Sequence, residues 1–179
     1  MDFQTAKQYD DEYIIHSYGR FPVLLTKGKG ATVQDDTGKT YIDFTSGIGV
    51  NALGFCDDNW VQAVSTQLQS LQHTSNLYYT EPCIQAAKLL CEKIGMKKVF
   101  FGNSGAEANE GVIKAARKYS FLKYGASRNK IIALQNSFHG RTMAALSATG
   151  QDAYHNFFFP FVDGFSFAKA MTLPTFFPK

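Results

Sequence analysis

The feature that most constrains this chain lies at residues 99–124, where the apolar triplet Val99, Phe100 and Phe101 passes through Gly102, Asn103, Ser104 and Gly105 straight into an amphipathic stretch. A short, fully apolar run predicts a strand buried on both faces, and the stretch from Ser104 to about Tyr124 predicts a helix. Units of this kind build a parallel sheet with helices packed against it. The free N–H groups of a first helical turn make an anion site, because the helix dipole favours negative charge there. Gly105 and Ala106 add no bulk above that turn, and Ser104 adds a hydroxyl. The same residues also permit a reading without a ligand, since Ser104 and Glu107 have the S-x-x-E spacing of a capping box. Neither GxxxxGK[ST] nor GxGxxG is present, which excludes a P-loop and a dinucleotide fingerprint.

A second unit follows the basic turn SRNK. The run IIAL predicts another buried strand, and QNSFHGRT places Phe138, His139, Gly140 and Arg141 at its end, where parallel sheets collect their ligands. Phe138 can stack on a planar ring, and Arg141 presents the rigid fork that matches a carboxylate. Each also has a plain reading: Phe138 as core, Arg141 as a solvated charge, His139 as a helix cap. Upstream, Val61, Val64, Leu68 and Leu71 predict a helix from Asp57 to about Gln72. Another begins near Glu81 with Pro82 in its first turn, buries Ile84, Ala87, Cys91 and Ile94, and ends at Gly95. The run ATVQDDTGKTYIDF predicts a hairpin turning at Asp35, Asp36, Thr37 and Gly38. After it, the glycines of TSGIGVNALG let the backbone approach a ligand or another chain closely, or form a plain loop. The first thirty residues carry little periodicity. The alternation reads as α/β, with a mostly parallel sheet and flanking helices.

Composition narrows the function classes. With 45% hydrophobic and 18% charged residues the chain is of the soluble globular type. No run approaches the roughly 18 consecutive apolar residues that a membrane span requires. The net charge of +3 is spread along the chain, which argues against a nucleic-acid partner. Cys56, Cys83 and Cys91 are odd in number and form no CxxC pair, fitting neither a disulfide framework nor a metal site. The polar, acidic start MDFQTAKQYDDEY is unlike a secretory signal, so a cytoplasmic location is expected.

Taken together, NSGAEANEGVIKAARKY and the later SFHGRT resemble the class III family of pyridoxal phosphate dependent aminotransferases. GKGATVQDDTGKTYIDFTSGIGVNALG resembles that family's N-terminal hairpin and substrate-facing loop, and HTSNLYYTEP the segment before its next helix. The similarity covers approximately residues 10–169. It implies the N-terminal part of the fold type I aminotransferase architecture, with the sheet incomplete in this chain. Residues 1–50 would be a hairpin segment of the small domain, and residues 51–179 a partial large cofactor-binding domain. The implied cofactor is pyridoxal 5'-phosphate. The implied reaction moves an amino group between an ω-amino substrate and 2-oxoglutarate, the FHGRT form leaning towards N-acetylornithine and so towards arginine biosynthesis. A homodimer is implied too, with no nucleic-acid or membrane partner.

The resemblance also assigns residues. Gly105 and Ala106 would hold the cofactor phosphate through their backbone with Ser104 beside them, Phe138 would stack on the pyridine ring, and Arg141 would pair with the substrate carboxylate. Asn109 and Glu110 would stabilise the loop geometry without a catalytic role. The family supplies its Schiff-base Lys and the acidic partner of the pyridine nitrogen from its second half, and no Lys here has a matching context. No catalytic residue is therefore assigned in this chain. The tail AMTLPTFFPK departs from the family pattern after about Lys169 and reads as an abrupt end. Exposed strand edges, uncovered apolar surfaces and no transamination by the chain alone are expected. The alternatives are a non-catalytic phosphate- or carboxylate-binding remnant and a non-functional truncated product.

Overall fold

The predicted hairpin forms where its turn residues place it. In the computed structural model, which describes residues 1–170, β1 (Leu25–Lys29), β2 (Thr32–Asp35) and β3 (Thr40–Ile42) make an antiparallel sheet in that order. Val33 faces Tyr41 across the β2–β3 ladder. The turn is organised by one carboxylate. Asp35 Oδ1 accepts from the Thr37 hydroxyl at 2.7 Å, the Thr37 N–H at 2.9 Å and the Lys39 N–H at 3.0 Å, while Oδ2 accepts from the Tyr41 hydroxyl at 2.8 Å.

These donors, led by the Thr37 and Tyr41 hydroxyls, hold the Asp35 carboxyl down at about 2, against an ordinary 3.8. A depressed folded-state pKa contributes stability that is fully present above the unfolded value and is lost as pH falls through the folded one. The stability difference between the wild-type chain and Asp35→Asn should therefore persist above about pH 4 and shrink between about pH 4 and 2. Urea titrations across that range check it; a difference independent of pH would show that the carboxylate charge is not what the turn uses.

The chain divides into two units, Met1–Tyr78 and the part from Tyr79 onward, and this division does not coincide with the boundary expected near residue 50. In the first unit, α1 (Phe3–Tyr13) is capped by Asp2, which accepts from the Thr5 N–H at 2.8 Å. It buries no residue. α2 (Asp58–Ser70) starts at Asp57, whose side chain accepts from the Trp60 N–H at 2.9 Å. The glycine-rich loop returns to the hairpin through paired 2.8 Å hydrogen bonds between Gly30 and Phe55.

The second unit holds α3 (Glu81–Ile94), α4 (Gly105–Tyr124), β4 (Ile131–Leu134), α5 (Met143–Ala148) and β5 (Phe165–Ala168). β4 and β5 are parallel, with Ile131 opposite Phe165 and Leu134 opposite Ala168, and α5 lies on the connection between them. The core of the unit is small: Ile113 of α4, Ala133 of β4, Ala145, Leu146 and Ala148 of α5, and Ala168 of β5.

Three expectations need correction. Val99, Phe100 and Phe101 form no strand, and Phe100 is 70% exposed. A strand exists only through its ladder, and among the described residues nothing pairs with this triplet. IIAL does form a strand, but it is not buried on both faces, since Ala133 is buried while Ile132 is 63% exposed. The helices predicted over 57–72 and from Glu81 are present, the latter ending at Gly95 with φ +70°, yet neither buries a residue. Helical period reveals which face is apolar without supplying what covers it. The reading of AMTLPTFFPK falls, after Ala170, outside the described residues.

Candidate functional site

The start of α4 is the first component. Ser104 caps the helix, its hydroxyl accepting from the Glu107 N–H at 3.1 Å, and Glu107 Oε2 reaches back to accept from the Asn103 N–H at 2.7 Å. The forward half of the capping box is thus formed, while the return bond goes to the N–H of Asn103, one residue before the cap. Those donors, led by the Asn103 side-chain amide, hold the Glu107 carboxyl below its ordinary range. The box consumes the N–H groups of Glu107 and Asn103 and leaves those of Gly105 and Ala106 without an acceptor among the described residues. The space beside Gly105 is open, since a Cβ built on it would meet nothing within 4 Å outside the helix's own backbone. Capping and anion binding, alternatives at the level of spacing, are compatible here because they draw on different donors.

The loop after β4 is the second component, and α4 fastens it. The Asn109 side-chain amide donates to the His139 carbonyl at 2.6 Å. Glu110 Oε1 accepts from the Thr142 hydroxyl at 2.6 Å and from the N–H groups of Ala144 and Ala145 at 3.1 and 3.2 Å. Glu110 thereby caps α5 from outside, since Thr142 makes no side-chain cap of its own. The two components meet at Gly140, where φ is +130° and a built Cβ would lie 2.7 Å from the Ala106 Cβ. No side chain larger than hydrogen fits between the helix start and this loop. Below it, Thr149 is fully buried and accepts from the His139 N–H at 3.0 Å.

The structure therefore brings Ser104, Gly105 and Ala106 together with the loop that bears Phe138 and Arg141. Phe138 is half-exposed, its ring centroid 5.4 Å from that of Tyr154. The Arg141 guanidinium carbon lies over the Phe138 ring at 5.6 Å and the Tyr154 ring at 5.8 Å. Sequence reasoning missed Gly140 as the contact point and missed Thr149, Gly150 and Tyr154 altogether. The available signal was the pair of glycines flanking α5, at positions 140 and 150. Asn109 and Glu110 do fasten the loop.

A further cavity lies elsewhere. In the first unit a space of about 610 Å³ is lined by Asp10, His16, Arg20 and Phe21 among others. Its carboxylates are engaged within the chain, Asp10 with Arg20 at 3.1 Å and Asp11 with Lys7 at 2.7 Å.

The model of the family described as Aminotransferase class-III matches residues 13–175. An acetylornithine aminotransferase of Haemophilus ducreyi is 55% identical over 176 residues, which cover 98% of this chain and 45% of that protein. An ornithine aminotransferase of Toxoplasma gondii superposes with a TM-score of 0.91 at 29% identity, over 98% of this chain and 42% of that one. A further structure of the ornithine aminotransferase from that organism, with a TM-score of 0.90 at 28% identity over 97% of this chain and 41% of that one, has partial occupancy of PLP at its active site. The chain spans less than half the length of the relatives it matches.

Proposed function

Because the chain belongs to the class-III aminotransferases, we propose that it is the N-terminal portion of an acetylornithine-type aminotransferase that contributes the phosphate, ring and carboxylate contacts of a pyridoxal phosphate site. The observation that carries this reading is the packing of Gly140 on Ala106, which sets an open helix N-terminus beside an aromatic ring and a guanidinium. When bound, the cofactor supplies the electron sink for amino transfer. Gly105 and Ala106 donate their N–H groups to its phosphate with the Ser104 hydroxyl beside them, and Phe138 covers one face of its ring. Arg141 orients the substrate by its carboxylate. The reaction is amino transfer between N-acetylornithine or a related ω-amino substrate and 2-oxoglutarate, in arginine biosynthesis.

The same reading gives residues 1–50 to the small domain and the rest to the large one, and carries a cytoplasmic homodimer with neither nucleic acid nor membrane as partner. No described helix is long and apolar enough to cross a membrane. None of residues 1–179 is assigned as the catalytic Lys, and on this reading the chain transfers no amino group by itself. Purified chain with saturating pyridoxal phosphate should transfer no amino group from N-acetylornithine to 2-oxoglutarate. Turnover abolished by Arg141→Ala would overturn that assignment.

Arg141 also separates substrate from cofactor. Arg141→Lys should weaken binding of 2-oxoglutarate by about tenfold, the loss of one strong hydrogen bond, because an ammonium cannot form the planar pair of bonds. Pyridoxal phosphate affinity should change little. Calorimetric titration with each ligand checks both, and equal loss of the two would count against the role.

One observation favours a second reading, in which the chain is a remnant that does not stand alone. Phe100, Leu122 and Ile132 are all more than 60% exposed. Surfaces of this kind mark interaction sites or aggregation liabilities. A cooperative melt without binding of a hydrophobic dye would remove that reading.

A further inference from the structure

We propose that Tyr154 is a positioning residue that holds Phe138 and Arg141 in their shared arrangement, a role that rests on the site reading above. The three groups form a triangle with sides of 5.4, 5.6 and 5.8 Å. Both rings offer their π-clouds to one guanidinium, an electrostatic attraction that limits the rotamers Arg141 can visit. The Tyr154 and Phe138 rings are tilted by 57°, a geometry in which edge and face attract. A carboxylate that reaches Arg141 then meets a fork already oriented, and less side-chain freedom is lost on binding.

The backbone explains why Tyr154 can act in this way. It ends a short 3-10 turn, Asp152–Tyr154, separated from Gly150 by Gln151 alone. The Gly150 carbonyl accepts from the Asn136 N–H at 2.7 Å, and the Gly150 N–H donates to the Ser137 carbonyl at 3.0 Å. The Gln151 side-chain amide adds a third bond to that carbonyl at 3.3 Å. A Cβ built on Gly150 would sit 2.2 Å from the Leu134 carbonyl oxygen. The segment that bears Tyr154 is therefore clamped to the residues immediately before Phe138, and the lever between the two rings is short.

The test uses the full chain with Tyr154→Leu, which keeps apolar bulk without a π-face, and Tyr154→Phe, which keeps the ring. The readouts are the Arg141 side-chain methylene shifts by NMR and the affinities for pyridoxal phosphate, 2-oxoglutarate and inorganic phosphate. In the wild type, ring currents should move the Arg141 methylenes upfield. Tyr154→Leu should return them towards free-arginine values and weaken pyridoxal phosphate and 2-oxoglutarate together by about fivefold, which is about 1 kcal/mol at 1.4 kcal/mol per factor of ten. Inorganic phosphate, held at the helix start, should bind as before, and Tyr154→Phe should match the wild type throughout. Unchanged Arg141 shifts in Tyr154→Leu, or a Phe variant as impaired as the Leu variant, would overturn the proposal. Failure of the wild-type chain to bind pyridoxal phosphate would sink the functional reading instead, while the Arg141 shifts would still decide the role of Tyr154.

Discussion

Gly140→Ala should abolish saturable pyridoxal phosphate binding and destabilise the second unit by roughly 2–6 kcal/mol. Two effects combine. A non-glycine residue at φ +130° is strained, which costs about 1–3 kcal/mol. The added methyl would also lie 2.7 Å from the Ala106 Cβ and 3.1 Å from the Ala145 Cβ, and overpacking of this kind costs about 1–3 kcal/mol. The loop must move off α4, and the phosphate donors then part from Phe138. A double-mutant cycle separates the effects. Ala106→Gly in the Gly140→Ala background removes the closest clash and should recover part of the stability, leaving the backbone strain. Thermal melts of the four chains measure this. A Gly140→Ala chain with wild-type stability and affinity would show that residue 140 does not press on the helix.

Glu110→Ala should cost roughly 2–4 kcal/mol, an effect out of proportion to a residue with no catalytic role. Its Oε1 serves the Thr142 hydroxyl and two part-buried N–H groups at the start of α5. A buried donor left unsatisfied costs about 1–3 kcal/mol, and α5 has only six residues over which to absorb the loss. The negative charge also complements the helix dipole. Glu110→Gln keeps one carbonyl oxygen where all three bonds converge, so it should lose less than half as much. Hydrogen exchange at Ala144 and Ala145 gives the direct readout: fast in Glu110→Ala, slow in Glu110→Gln. Equal exchange in the two variants would mean that α5 is held by its packing alone.

The hairpin, α2, α3 and the start of α4 were legible in the sequence because each rests on contacts spanning only a few residues. Asp57, Ser104 with Glu107, and Asp35 with Thr37 each satisfy backbone donors within four positions. The family resemblance reached further, to Phe138 and Arg141, since a motif keeps its residues adjacent in the chain. Burial was not legible. The apolar stripes of α2 and α3 and the triplet Val99–Phe101 encode a face or a strand, but a face is buried only by a neighbour, and here none of the described residues supplies one.

Tertiary structure alone decided how the site is assembled. That Ala106 touches Gly140, that Glu110 caps a helix more than thirty residues away, and that Tyr154 meets Phe138 and Arg141 depend on contacts remote in sequence. No local pattern records them, because hydrogen bonds and ring contacts depend on distance in space. The sequence by itself determined which residues could bind an anion, a ring and a carboxylate. Only the fold, by closing α4 onto the loop after β4 through a glycine with no side chain in the way, decided that the segments bearing them lie together.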